Sequence, residues 1–170
     1  MKDVRDLIRV PDTATTSKQR NWTESEAVSL GYAFLASLAI KARNARELSY
    51  APYSNYRVGA ALLCISGAIY KGANTETHIY SKTIHAEHNA IAAAIMGGEV
   101  NRSERRFARA LAISHPGDSA LCAECRQVMF EHCDNALIVV ANTDGLITGI
   151  TSLDELTPWA FKPSDLEKKS

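Results

Sequence analysis

The stretch 108–141 contains ARALAIS (108–114), CAECRQVMFE (122–131) and LIVVA (137–141), and it decides the architecture. The apolar runs Ala108 to Ser114 and Leu137 to Ala141 read as buried strands, and Cys122 to Glu131 between them reads as a helix. Strands that alternate with helices build an α/β sandwich around a mixed sheet.

Working outward, Thr23-Glu24-Ser25-Glu26 forms a capping box, with Glu26 three residues after Thr23. Apolar residues then recur through Val28, Leu35, Leu38, Ala42 and Ala45, which predicts a helix over 24–48 with Gly31 as its weak point. Ala51-Pro52-Tyr53-Ser54 interrupts that pattern. Tyr56 to Ile65 reads as a strand, Ser66-Gly67 as a turn and Ala68 to Ala73 as a second strand, together a β-hairpin. Ile84 to Met96 is alanine-rich and helical up to Gly97-Gly98, and Ser152-Leu153-Asp154-Glu155 opens a short C-terminal helix. No internal repeat or low-complexity segment interrupts the chain. Residues 1–22, with Pro11 and the run Thr13 to Ser17, read as an N-terminal extension without a catalytic role, ahead of one catalytic domain over 23–170.

The composition narrows the function. With 170 residues, 46% hydrophobic and 22% charged, the chain fits one domain with one core. Nineteen basic residues balance nineteen acidic ones, so no summed positive field attracts nucleic acid, and a small neutral substrate fits better than a polymer. The longest nearly apolar run, Tyr32 to Ile40, is too short for the ~30 Å of a membrane core. The N-terminus, Met-Lys-Asp-Val-Arg-Asp, has no apolar segment behind it. The expected location is the cytoplasm, where a Cys-x-x-Cys is a metal or redox motif rather than half of a disulfide framework.

Four residues carry the chemistry: His85 and Glu87 at one helix start, Cys122 and Cys125 at another. Two thiols three residues apart at a helix start can face one point, where the positive end of the helix dipole favours thiolate. With a neutral imidazole from His85 they supply three ligands suited to Zn²⁺ and leave the fourth tetrahedral position open, the pattern of a catalytic rather than a structural site. Zn²⁺, two thiolates and a neutral His sum to zero charge, which favours acidification of a bound water. Glu87 lies two residues past His85 and approaches the same point only because His85 sits at the fraying end of its helix; this makes Glu87 a proton carrier rather than a ligand.

A closed structural site would need a fourth protein ligand from Cys133, His132 or His88. Cys133 is eight residues beyond Cys125, about 12 Å along the helix axis at ~1.5 Å per residue. His78, His115 and His132 are expected at the surface or in turns, and Cys64 as a small buried apolar residue.

In matching order, APYSNYRVGAAL (51–62), GANTE (72–76), HAE (85–87), CAECRQ (122–127) and LTPWAFKPSDL (156–166) resemble cytidine deaminase over residues 25–166. HxE with CxxC is shared by zinc deaminases of many substrates, and the other segments narrow the resemblance to those of free nucleosides. It implies a three-layer α/β/α sandwich around a five-stranded mixed sheet, one Zn²⁺ per chain, and hydrolytic deamination of cytidine and deoxycytidine to uridine and deoxyuridine in pyrimidine salvage. It further implies that Glu87 carries protons to N3 and the leaving ammonia, that Asn74 and Glu76 hold the ribose hydroxyls, and that the Ala86 backbone reads the base edge. Tyr56 takes the place of a Phe that packs on the pyrimidine. Tyr80 and Phe161 match aromatics that reach into a neighbouring subunit's site, which implies a homo-oligomer with shared sites, a tetramer in preference to a dimer.

The chain departs from the family pattern at Leu121 and Ala123, usually Pro and often Gly, at Thr77, often Asn, and at His85 and His88, where many single-domain members carry Cys and Arg. The last two changes agree, because a neutral site needs no compensating Arg. Three rivals are weighed: a deaminase of a modified aminopyrimidine nucleoside such as a blasticidin-type antibiotic, which Asn74 and Glu76 argue against; a nucleotide or polynucleotide deaminase, which would want basic residues round the site where only Arg57, Lys71, Lys82 and Arg126 are near in sequence; and a catalytically silent zinc-stabilised binding protein.

Overall fold

The computed structural model describes residues 24–100, 106–133 and 135–166; the predicted extension 1–22 lies outside them. Helix α1 (Glu24–Arg46) precedes strands β1 (Gly59–Cys64) and β2 (Ile69–Ala73), a 3-10 turn (Tyr80–Lys82), helix α2 (Ala86–Met96), strand β3 (Ala108–Ser114), helix α3 (Ala123–His132), strands β4 (Leu137–Ala141) and β5 (Ile147–Ser152), the short helix α4 (Leu153–Leu156) and a last 3-10 turn (Pro163–Leu166). The strands form one sheet in the order β2-β1-β3-β4-β5, in which only β3 and β4 run parallel. Because β3 and β4 run parallel, they need a crossover, and α3 supplies it.

Successive strand side chains face opposite sides of the sheet, and here both sides are dry. Leu62, Leu111, Ile113, Ile138 and Val140 pack with Ala86, Ala90 and Ile91 of α2 and Met129 and Phe130 of α3. Their alternating neighbours Ala61, Leu63, Ala110, Ala112, Leu137 and Val139 pack on the other side against Leu35, Leu38, Ala39 and Ala42 of α1. The three-layer sandwich with five mixed strands matches the expectation. Among the described residues no helix is long and apolar enough to cross a membrane.

One expected weak point becomes a kink, two elements start later than the sequence reading placed them and one strand went unread, each for a physical reason. Gly31 takes φ 62° and ψ 145°, so the expected weak point is a kink that joins two helical segments. The first strand starts at Gly59 rather than Tyr56, because the Asn74 side chain binds the Tyr56 carbonyl (2.9 Å) and the Val58 N–H (2.8 Å) that a strand would otherwise use. Helix α2 starts after Ile84, which pairs with Thr75 in an isolated bridge. Strand β5 was not among those read from the residues; it is a half-buried edge strand with Thr148, Gly149 and Thr151 in its middle and a bulge opposite Val140 and Ala141, so no clean alternation announces it.

Two glycines set how closely the helices lie on the sheet. A Cβ at Gly59 would stand 2.1 Å from the Ala42 carbonyl oxygen of α1, and one at Gly72 would stand 2.1 Å from the Ala86 carbonyl oxygen and 2.4 Å from the Ala90 nitrogen of α2. At both points backbone meets backbone, and neither side can yield as a flexible side chain would. Gly72→Ala is therefore expected to lower the free energy of unfolding by about 3 kcal/mol or more, the upper range for overpacking, as measured by urea denaturation.

Candidate active site

His85 and Cys122 occupy equivalent places, each as the N-cap of the helix that follows. Both have extended backbone, φ −74° and ψ 155° for His85 and φ −65° and ψ 162° for Cys122. Standing outside the helical spiral, His85 is free of the 100° step that would have turned it away from Glu87, as the sequence reading required. The Cys122 sulfur accepts the Cys125 backbone N–H at 3.5 Å, a capping bond.

The two helix starts converge. His85 Nδ1 lies 3.2 Å from the Cys125 sulfur and 3.4 Å from the Cys122 sulfur, and the three candidate ligand atoms lie within 4.8 Å of one another. A tetrahedral Zn²⁺ with Zn–N near 2.0 and Zn–S near 2.3 Å sets adjacent ligand atoms about 3.6 Å apart, so this donor set fits that ion with small adjustment. Burial, together with the Glu87 carboxylate and the Cys122 thiol beside it, pushes the Cys125 thiol well up from its ordinary value. A divalent cation is what makes two thiolates tenable there, so metal uptake releases protons and weakens as pH falls. Glu87, buried in the first turn of α2, stands outside the ligand trio but against the Cys125 sulfur.

A cavity of about 470 Å³ opens over this point and is lined by Tyr56, Asn74, Glu76, His85, Ala86, Glu87 and Cys122 among others, so seven of the predicted site residues share one space. That volume suits a small ligand such as a nucleoside. Asn74 and Glu76 are buried and braced. The Asn74 oxygen accepts from the Ser49 hydroxyl (2.5 Å) as well as from Val58, and its amide nitrogen keeps one N–H beyond the bond to Tyr56. The Glu76 carboxylate accepts from the Ser54 hydroxyl and from the backbone N–H groups of Tyr53 (3.0 Å) and Ser54 (3.2 Å). These bonds, the Ser54 hydroxyl foremost, hold its pKa below the ordinary value against the opposing effect of burial, so it remains ionised at neutral pH.

Tyr80 and Phe161 lie outside the cavity of their own chain, largely exposed; Tyr80 packs edge-on to Tyr53 at 6.0 Å between ring centres. Of the four cations considered for a phosphate, Arg126 alone lines the cavity, and two of its five N–H groups donate to the carbonyls of Leu121 (2.6 Å) and Leu156 (2.9 Å). Leu121, in place of the usual Pro, is buried in the core with its carbonyl fixed by that bond.

The other histidines and cysteines divide. His78 is exposed, His132 packs on Phe107, Cys64 is buried in β1, and Cys133 is buried at the far end of α3. His115 corrects the sequence reading: it is buried and lines the cavity, held by Ser119, Gly117 and Tyr56. A lone His before Pro-Gly carries the signal of a turn, and only the fold brings Tyr56 to it. The His88 ring stacks on His85 at 5.8 Å without joining the ligand trio. Elemental analysis is expected to find full zinc in His88→Ala and to find it lost in Cys125→Ala.

The comparisons with known proteins agree with this geometry. Residues 35–141 match the family model for the cytidine and deoxycytidylate deaminase zinc-binding region. The chain is 38% identical over 132 residues to a cytidine deaminase of Sporosarcina psychrophila, covering 76% of this chain and 92% of that protein. It is 38% identical over 129 residues to one of Halalkalibacterium halodurans, covering 74% and 92%. The crystal structure of cytidine deaminase from Burkholderia pseudomallei superimposes with a TM-score of 0.65 at 35% identity, covering 74% of this chain and 97% of that one. A family model that spans residues 35–141 and relatives 38% identical over most of their length place the chain in the zinc-dependent cytidine and deoxycytidylate deaminase family.

Proposed function

We propose that the chain catalyses the hydrolytic deamination of cytidine and deoxycytidine to uridine and deoxyuridine, with ammonia as the second product. The observation that carries this is the meeting of His85, Cys122 and Cys125, the first two of which line a nucleoside-sized cavity together with the buried Glu87. His85, Cys122 and Cys125 would hold a Zn²⁺ ion, which when bound would supply Lewis acidity to activate water near neutral pH.

The residues of the chain do the rest. Glu87 takes one proton from the attacking water and passes it to ring N3, then takes the second from the hydroxyl so formed on C4 and passes it to the departing amino group as the C4–N bond breaks, a task suited to a carboxylate screened from bulk solvent. Ala86 follows the N-cap, where a helix N–H has no intrahelical partner, so its backbone is available to the base edge. Tyr56 offers its ring to the pyrimidine. Asn74 and the ionised Glu76 hold the ribose hydroxyls with capacity left over from the bonds that brace them; a substrate without those hydroxyls leaves buried polar groups unpaired. The exposed Tyr80 and Phe161 fit a role in a neighbouring subunit's site, so the working form is a homo-oligomer, a tetramer in preference to a dimer. A cytoplasmic place in pyrimidine salvage fits this substrate class.

Two rivals lose support. The relatives bear the name cytidine deaminase, which counts against a modified-nucleoside specialist. Arg126 is the one Lys or Arg among the described residues that line the cavity, and it already braces two carbonyls, which counts against a phosphate ligand.

Glu87→Gln is expected to retain zinc while deamination, followed by the fall in cytidine absorbance, drops by a factor of at least 10²–10⁴, the usual worth of a positioned acid or base. Undiminished turnover in that variant would remove Glu87 from the chemistry, and a wild type inert towards cytidine would leave the silent binding protein standing. Glu76→Gln is expected to raise KM for cytidine about tenfold, in the range of a lost charged hydrogen bond, with a smaller change in kcat.

A further inference from the structure

His115 has no part in the scheme above, yet it is buried, lines the cavity and uses both ring nitrogens. Its Nε2 lies 2.7 Å from the Ser119 carbonyl oxygen, which can only accept, so Nε2 carries the proton. That leaves Nδ1 as an acceptor, and two donors reach it: the Gly117 N–H at 3.0 Å and the Tyr56 hydroxyl at 2.9 Å. The first two bonds close residues 115–119 into a compact loop along one wall of the cavity. The third ties that loop to Tyr56, 59 positions earlier in the chain. A Cβ on Gly117 would stand 3.1 Å from the Tyr56 hydroxyl, so the backbone there also packs on the same group.

Among the described residues, the other hydrogen bonds of Tyr56 are made by its backbone, whose N–H donates to Ser54 (2.9 Å) and whose carbonyl accepts from Asn74 (2.9 Å). The ring is half-exposed, and nothing in those backbone bonds sets its rotation. We infer that His115 is a positioning residue for deamination: by accepting the Tyr56 hydroxyl at Nδ1 it fixes the ring against the pyrimidine, and it joins the base wall to the ribose-holding network of Ser54, Asn74 and Glu76. The hydroxyl that Tyr56 carries is thereby turned away from chemistry and used as an anchor. This rests on the deaminase reading, since the ring it positions is the proposed platform for the base. A platform contacts ground state and transition state alike, so its loosening raises KM more than it lowers kcat.

Two substitutions separate the two sides of the imidazole. The oxygen of an Asn at 115 can take the place of Nδ1 and accept from Tyr56, while the amide of a Gln can take the place of Nε2 and donate to Ser119. The test uses the full-length zinc-loaded chain, with KM and kcat for cytidine measured in His115→Asn, His115→Gln and His115→Leu, each also combined with Tyr56→Phe; zinc content and thermal midpoint report on folding. His115→Gln and His115→Leu are expected to raise KM about three- to tenfold, the worth of one net hydrogen bond, with kcat changed less. His115→Asn is expected to restore most of that loss, and Tyr56→Phe to erase the difference between Asn and Gln. Equal KM values for Asn and Gln, or a difference that survives Tyr56→Phe, overturn the inference. Should Leu impair folding, the Asn and Gln pair decides alone. A readout independent of turnover is the ¹⁵N chemical shift of His115: Tyr56→Phe is expected to move the Nδ1 resonance, and an unmoved resonance overturns the pairing even if the wild type proves inert towards cytidine.

Discussion

The backbone of α2 rests directly on strand β2 where Gly72 faces Ala86 and Ala90, and the position of the metal trio follows from that contact. His85 caps this helix and Glu87 sits in its first turn, so their distance from the sheet is fixed by the missing side chain at 72. On the other side of the same point, α3 is set by the burial of Met129 and Phe130, which fixes where Cys122 and Cys125 stand. A ligand trio spanning less than 5 Å thus depends on two packing contacts made by residues that never meet a ligand.

Much of this was legible in the residues. The run 137–141 is apolar on both faces and 108–114 departs from that at Arg109 and Ser114, so their composition announced them as interior strands. HxE and CxxC announced a metal site because few other roles need two soft ligands, an imidazole and a free carboxylate at helix starts. What stayed hidden depends on contacts distant in the chain. Strand β5 is polar on its open side and draws its order from β4, and the unwinding of Tyr56 to Val58 follows from a side chain at position 74. His115 shows the same limit most clearly: its neighbours Pro116 and Gly117 describe a turn, while its function depends on a tyrosine supplied by the chain before β1.

Polar groups in the cavity act as one network rather than as separate contacts. Ser49 and Val58 meet at Asn74, Ser54 joins Glu76 to the Tyr56 backbone, and His115 closes the circuit at the tyrosine hydroxyl. Each buried acceptor is thus satisfied before substrate arrives, which keeps the site organised without a ligand. A reserve of lone pairs and one spare N–H remain open towards the cavity.

The separation of the ligands along the chain has a further consequence. His85 and Cys122 are 37 positions apart, so a metal ion held between them closes a loop in the manner of a cross-link. For a loop of that length the chain-entropy estimate is about 4 kcal/mol of relief from the unfolded ensemble, comparable with a disulfide. The trio is therefore a topological clasp as well as a reaction centre. It ties the helix resting on the hairpin to the helix that crosses between the parallel strands, and the metal supply of the cell becomes one of the terms that decide how long the chain stays folded.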